Sequence, residues 1–214
     1  MGDDGARALG EALTASATIQ TLALQVESVG GDGARSLATA LMENKQLAAL
    51  TLSGSKIGDD GARALGEALK MNAMLHTLEL SQNQIGDVGA QSLANALAMN
   101  DALQTLEVGG NRLNNSGARA FADALKDNTA LQMLSLTECN VGNDGAFALT
   151  EALEDNKTLK TLYLSNNDVG FTGASALAEA LKINENLQKL VLRNNKTRDA
   201  AAGWDRRVEI RPKW

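Results

Sequence analysis

The sequence predicts an α/β solenoid: a right-handed arc of strand–turn–helix units, with a parallel sheet on the concave side and helices on the convex side. Two observations predict it. Leucines recur at 22, 50, 78, 106, 134, 162 and 190, each 28 residues after the last, and a fixed period of that length marks a stacked repeat. In addition, Gly2–Leu13 (GDDGARALGEAL) is identical to Gly58–Leu69 two periods later, so the chain enters on a helix half. Each unit is too small to bury its own apolar side and must stack on its neighbours.

The elements follow in order. After the leading helix half come seven strand segments centred on those leucines, of the form Leu75, Leu78, Leu80. Strand side chains alternate faces, so Leu78 and Leu80 point inward while Thr77, Glu79 and Ser81 point out. The turn column reads Gly30, Gly58, Gly86, Asn114, Gly142, Gly170, which predicts a left-handed backbone position at each. Asp32, Asp60, Ser116, Asp144 and Thr172 precede the helix glycines and are expected to cap their own helices, with Asp87 substituting beside Val88. Asn44, Asn72, Asn100, Asn128, Asn156 and Asn184 close the helices, where a left-handed C′ residue is expected. Alanines at 34, 62, 90, 118, 146 and 174 allow close helix packing. Strands stack about 4.8 Å apart and helices about 8–10 Å apart, so the two layers must curve. The solenoid is expected over residues 1–195. Residues 196–214 read as a basic tail in which Trp204, Val208, Ile210 and Trp214 cover the last repeat, with Arg198, Arg206 and Arg207 solvated around them.

Composition narrows the function classes. Leu and Ala carry the 44% apolar content and aromatics only 3%, as thin regular layers require. Residues 189–214 hold a net charge of +5 and the remainder −11; an acidic body favours basic partner surfaces and argues against a nucleic-acid groove. No leader or membrane-spanning run is present, so no membrane association and a reducing, cytoplasmic setting are expected. The sequons at Asn114, Asn156 and Asn195 read as chance matches in an Asn-rich chain. A single cysteine, Cys139, excludes an internal disulfide. The single histidine, His76, occupies a column of Gln20, Gln104, Gln132 and Gln188 and reads as an exposed polar residue. Cys139 lies more than two repeats from it, and no phosphate loop or metal-ligand spacing occurs. The expectation is a non-enzyme without cofactor or metal.

The phrase Ile57–Leu69, I-G-D-x-G-A-x-x-L with its alanine-rich helix, resembles the ribonuclease-inhibitor-like class of leucine-rich repeats. That class is found in ribonuclease inhibitor, Ran GTPase-activating protein, tropomodulin and the arms of NOD-like receptors. The phrase looks most like the NOD-like-receptor and Ran-activator variety. The resemblance implies a curved interaction platform; members inhibit, activate, scaffold or sense, so the fold does not specify the function. In the buried column Glu27, Ser55, Asn83, Asn111, Cys139, Asn167, Asn195, Cys139 stands where the class alternates Asn with Cys, which implies a structural thiol. Glu27 in that column implies a solvent-open N-terminal edge.

Candidate binding residues lie on the outward strand columns. Glu79 and Glu107 are same-column neighbours, and adjacent like charges destabilise a sheet unless relieved, which suggests docking of a basic side chain. Tyr163, flanked by Met133, Ser135 and Val191, has the character of an interface anchor, with Arg193 beside it. Phe147 is expected to be exposed on the convex side and Phe171 replaces a polar turn residue; both are expected to pack locally, with a second contact surface as the alternative, and Phe121 is expected to be core. The predicted function is binding of a protein partner through the concave face, as a sensor or scaffold. The alternatives are an enzyme regulator acting by docking, such as a GTPase activator or inhibitor, and a self-associating structural unit. A monomer is expected, with edge-to-edge self-association as the alternative.

Overall fold

A computed structural model describes residues 2–24, 29–197 and 207–209. The expectations for Glu27, Arg198, Trp204, Arg206, Ile210 and Trp214 lie outside the described residues. Within them, helices and strands alternate: α1 (Asp3–Ala15), β1 (Thr21–Ala23), α2 (Gly30–Glu43), β2 (Ala49–Thr51), α3 (Gly58–Met71), β3 (Thr77–Glu79), α4 (Asp87–Leu97), β4 (Thr105–Glu107), α5 (Asn114–Asp127), β5 (Met133–Ser135), α6 (Asn143–Asp155), β6 (Thr161–Tyr163), α7 (Phe171–Ile183), β7 (Lys189–Val191) and β8 (Val208–Glu209). The strands form one parallel sheet in sequence order. Its register places the period leucines side by side, Leu50 beside Leu78 and Leu78 beside Leu106. This is the predicted α/β solenoid, with the sheet on the concave side and the helices on the convex side.

The core lies between the two layers. Leu50, Leu78 and Leu134 are fully buried, as is Phe121 in its leucine column. Helix contact is close because the helix glycines have no side chain. A Cβ added at Gly61 would lie 2.9 Å from the Cβ of Ala34 and 2.8 Å from that of Ile57, inside van der Waals contact. No helix among the described residues is long and apolar enough to cross a membrane.

Both helix-end expectations need correction. Only Gly30, Gly58 and Asn114 of the turn column have positive φ, at 68°, 58° and 49°. Their N–H groups donate forward to the carbonyls of Ser55, Asn83 and Cys139, each at 2.9 Å. Gly86, Gly142 and Gly170 are extended and donate backward, to Oδ1 of Asp59 (2.7 Å), Asn115 (2.7 Å) and Asn143 (2.9 Å). The same three oxygens accept from Gly89, Gly145 and Gly173. Helix caps therefore come from the preceding repeat, and Asp32, Asp60, Ser116, Asp144 and Thr172 do not cap their own helices. Stacking brings the start of one helix beside the next, within hydrogen-bond reach of its free N–H groups. Asp87 shares the accepting column, but left-handed Asn114 turns its N–H away, and Asp87 Oδ1 is buried without a hydrogen-bond partner.

The asparagines after the helices are extended rather than left-handed; Asn156, for instance, has φ −69° and ψ 127°. They are buried and connect repeats. Asn156 Nδ2 donates to the carbonyls of Leu125 (2.8 Å) and Asn128 (3.2 Å). Its Oδ1 accepts from the N–H groups of Thr158 and Leu159. Asn44, Asn72, Asn100, Asn128 and Asn184 repeat this pattern. A second ladder at the strand exits runs through Asn83, Asn111, Asn167 and Asn195. Side-chain amides suit both ladders because one group both donates and accepts. Asn156 and Asn195 are 3% and 1% exposed, so neither sequon presents an accessible side chain.

Cys139 occupies the strand-exit column as a buried free thiol, with Sγ 3.3 Å from the carbonyl of Val108. Burial pushes its pKa up to about 12 from 9.0. Two consequences follow from a thiol held protonated. Thiol-specific alkylation at mild alkaline pH should be blocked until the chain unfolds; rapid labelling of the native chain would contradict this burial. Stability should fall as pH rises above about 9, because the unfolded thiol releases its proton there while the folded one retains it.

The end of the sheet also differs from expectation. An eighth strand follows the seven: β8 pairs in parallel with β7, Leu190 beside Val208 and Val191 beside Glu209. Arg207, expected to be solvated, donates instead to the carbonyls of Asn184 (2.7 Å), Leu187 (3.0 Å) and Leu181. Two of these stand one period beyond Leu153 and Asn156, the carbonyls bonded by Asn184. The guanidinium takes the place a next asparagine would occupy.

Candidate functional site

The outward side chains of consecutive strands form columns across the concave face because the register has no offset. Glu79 is the register partner of Glu107, Ser135 of Tyr163, and Tyr163 of Val191. Glu79, Glu107, Ser135, Tyr163 and Val191 thus form one contiguous row, with Met133 in the column before it and Arg193 beyond its end. They are not equally available.

Glu79 and Glu107 are half-buried. Glu79 Oε2 accepts from the Thr51 hydroxyl at 3.1 Å; neither carboxylate has an ion-pair partner among the described residues. Desolvation first, and the neighbouring charge of Glu79 second, hold the Glu107 carboxyl above the usual range. A group that keeps its proton more readily when folded contributes stability at low pH and loses it as pH rises through its titration. Glu107→Gln should therefore raise stability at neutral pH by about 0.5 kcal/mol. That gain should vanish in acid, where Glu107 is already neutral. Thermal melts at the two pH values test this, and a pH-independent effect would contradict the charge explanation.

Beside the pair lies a groove of about 280 Å³ lined by Ser81, Gln82, Glu107, Gly109, Gly110, Ser135, Thr137 and Glu138. Gly109 opens it by standing where Ser81 and Thr137 stand in adjacent repeats; a Cβ there would meet the Thr137 carbonyl at 3.0 Å. Sequence reasoning passed over Gly109 and Glu138. The signal for Gly109 was a lone glycine in a Ser/Thr column.

The other half of the row departs from expectation. Val191 and Ser135 are only 4% and 8% exposed, so they form the floor of the face and cannot anchor a partner by insertion. Each is a small side chain closely flanked in its column, Val191 by Tyr163 and Glu209. Met133 and Tyr163 are half-buried, and Lys189 Nζ stands 5.8 Å from the Tyr163 ring centre. Arg193 is engaged with Glu209 at 2.6 Å, and Lys189 bonds the other oxygen at 3.0 Å. Those two cations hold the Glu209 carboxyl below its usual range. The basic end of the face thus carries its own counter-ion, while the acidic middle has none among the described residues.

His76 is half-buried rather than exposed; it lines a groove with Met71 and Met99. Phe147 is exposed as expected, whereas Phe171, expected to pack locally, is 53% exposed at the start of α7. No group of three or more His, Cys, Asp or Glu side chains among the described residues is arranged to hold a metal ion.

A leucine-rich repeat family model matches residues 43–66, 72–94, 102–122, 127–149 and 155–178. Among solved structures, the leiomodin-1 actin-binding site 2 domain superposes with a TM-score of 0.60 at 19% identity, covering 72% of this chain and 88% of that one. The tropomodulin C-terminal domain of Caenorhabditis elegans superposes with a TM-score of 0.61 at 20% identity, covering 71% of this chain and 92% of that one. Identities at this level show a shared fold alone. No curated protein sequence matches the chain significantly.

Proposed function

Because the chain belongs to the leucine-rich repeat family, its five matched repeats spanning residues 43–178, we propose that it is a non-catalytic module binding a protein partner on its concave face. The observation that carries this reading is the uncompensated pair Glu79 and Glu107 beside the groove at Gly109. Adjacent carboxylates cost sheet stability, and a partner's Lys or Arg side chain would relieve that cost on binding. Tyr163 and Met133 supply apolar contact next to the acidic pair, the mixture typical of an interface centre. Ser135 and Val191 serve as floor and Arg193 as a rim group held by Glu209. We place the chain in the ribonuclease-inhibitor-like class on the phrase Ile57–Leu69, working as a sensor or scaffold in the cytoplasm.

The test compares wild type with a Glu79→Lys/Glu107→Lys/Tyr163→Ala variant matched for thermal stability. Affinity capture identifies partners, and titration with each measures the loss. A drop in affinity of about a hundredfold is expected, since charge reversal in an interface converts attraction into repulsion. Unchanged affinity would place binding off the concave face. Actin is a specific candidate because one structural neighbour, leiomodin-1, is named for an actin-binding site; co-sedimentation with filaments tests it directly.

A further inference from the structure

One groove gathers soft metal ligands at the strand entrances, apart from the concave row. It has a volume of about 380 Å³ and is lined by Met71, His76 and Met99, with Lys70 and Asp101 among its other residues. Its contents depart from the repeat. The residue in the column of Met71 and Met99 is Ala15, Glu43, Asp127, Asp155 or Ile183 elsewhere. Methionine thus occurs in that column only at the two positions that flank the single histidine of the chain. Both methionines are open to solvent, at 67% and 68% exposure. The helix ends differ as well. Helix α3 runs to Met71, but α4 stops at Leu97, and the N–H groups of Met99 and Asn100 donate three residues back, at 3.0 and 3.2 Å. Met99 therefore leaves the line of its helix where Met71 continues it.

The charges and hydrogen bonds leave these donors available. The His76 backbone is held in the sheet: its N–H donates to Ala48 at 2.8 Å, and its carbonyl accepts from Gln104 and Thr105 at 2.9 Å. Its imidazole has no hydrogen-bond or ion-pair partner among the described residues. Lys70 is turned to Glu67 at 2.7 Å, while Asp101 has no ion-pair partner among the described residues. We propose that this groove binds a soft monovalent cation, Cu(I), through the thioethers of Met71 and Met99 and an imidazole nitrogen of His76. Thioether sulfur selects Cu(I), and imidazole suits it equally. Zn(II) sites are built instead from thiolate, imidazole and carboxylate, and Ca(II) and Mg(II) sites from oxygen. Three neutral donors suit a single positive charge, with the Asp101 carboxylate at hand to balance it. Long unbranched methionine side chains adapt readily, so two exposed ones can close on an imidazole whose backbone is fixed. The soft thiol of Cys139 does not compete, because it is buried.

Titration of the whole chain with Cu(I) under anaerobic, reducing conditions tests this, with a Cu(I) chelator as competitor and Ag(I) as the redox-inert probe for NMR. One equivalent should bind, and the ring signals of His76 and the methyl signals of Met71 and Met99 should shift together. His76→Gln installs the residue that its column carries at 20, 104, 132 and 188, and Met71→Leu/Met99→Leu alters exposed positions, so both variants keep the fold. Each should weaken binding by about tenfold or more, since even the outer partners of metal ligands carry that much. Zn(II) at the same concentration should leave the three residues unshifted. Three results would overturn the proposal: no binding by the wild type, affinity unchanged in both variants, or the same shifts with Zn(II). Unchanged affinity would place the metal on other sulfur groups of the chain. The proposal does not depend on the concave-face reading, because the substitutions at 71, 76 and 99 lie outside that row.

Discussion

Replacing Asn156 with alanine is expected to destabilise the chain by about 3 kcal/mol. The side chain is 3% exposed and makes bonds in both directions, to the carbonyls of Leu125 and Asn128 and from the N–H groups of Thr158 and Leu159. Alanine leaves those buried backbone groups without partners, and an unmade bond of this kind costs more than a made one contributes. Aspartate should be at least as damaging at neutral pH, since it replaces the donating amide with an oxygen that faces two carbonyl oxygens. Urea melts measure the loss. A change under about 1 kcal/mol would mean that water enters and replaces the amide.

The second large effect is expected at the C-terminal end of the same ladder. Arg207→Ala should cost about 2 kcal/mol, concentrated in the last repeat rather than spread along the chain. Its guanidinium is a charged donor reaching three carbonyls at the end of α7 and the entry to β7, where a cation also meets the negative end of the helix dipole. A planar fork spans several acceptors that a lysine ammonium serves only as a point charge, so Arg207→Lys should recover only part of the loss. Solenoid repeats depend on their nearest neighbours, so the expected signature is faster amide exchange in α7 and β7 with α2 to α4 unchanged. Uniform loss of protection along the chain would contradict a local capping role.

The two effects explain why this sequence can be regular in its columns and still differ at its turns. Every repeat inherits the same leucines, but each turn depends on one side chain in the preceding repeat. Where Asp59, Asn115 or Asn143 supplies an acceptor, the glycine that follows is extended. Where Gly31 stands in that column, Gly58 turns left-handed instead. Two positions depart from this pattern: Asn114 is left-handed although Asp87 offers an acceptor, and Gly30 is left-handed although Asp3 Oδ1 accepts from Gly33 at 2.8 Å.

Sequence by itself determined the period, the strand centres, the leucine core and the row of outward residues from Glu79 to Val191. These follow from alternation along a strand and identity between repeats, both local properties. Tertiary structure alone decided which members of that row are accessible, because burial of Ser135 and Val191 depends on what stands beside them in neighbouring strands. It also decided where the caps originate and what Arg207 does. Stacking places side chains one period away within hydrogen-bond reach, whereas a reading within one repeat assigns each polar group to its own helix. The β8 strand escaped notice for the same reason: two residues carry no periodicity, and only pairing with β7 makes them a strand.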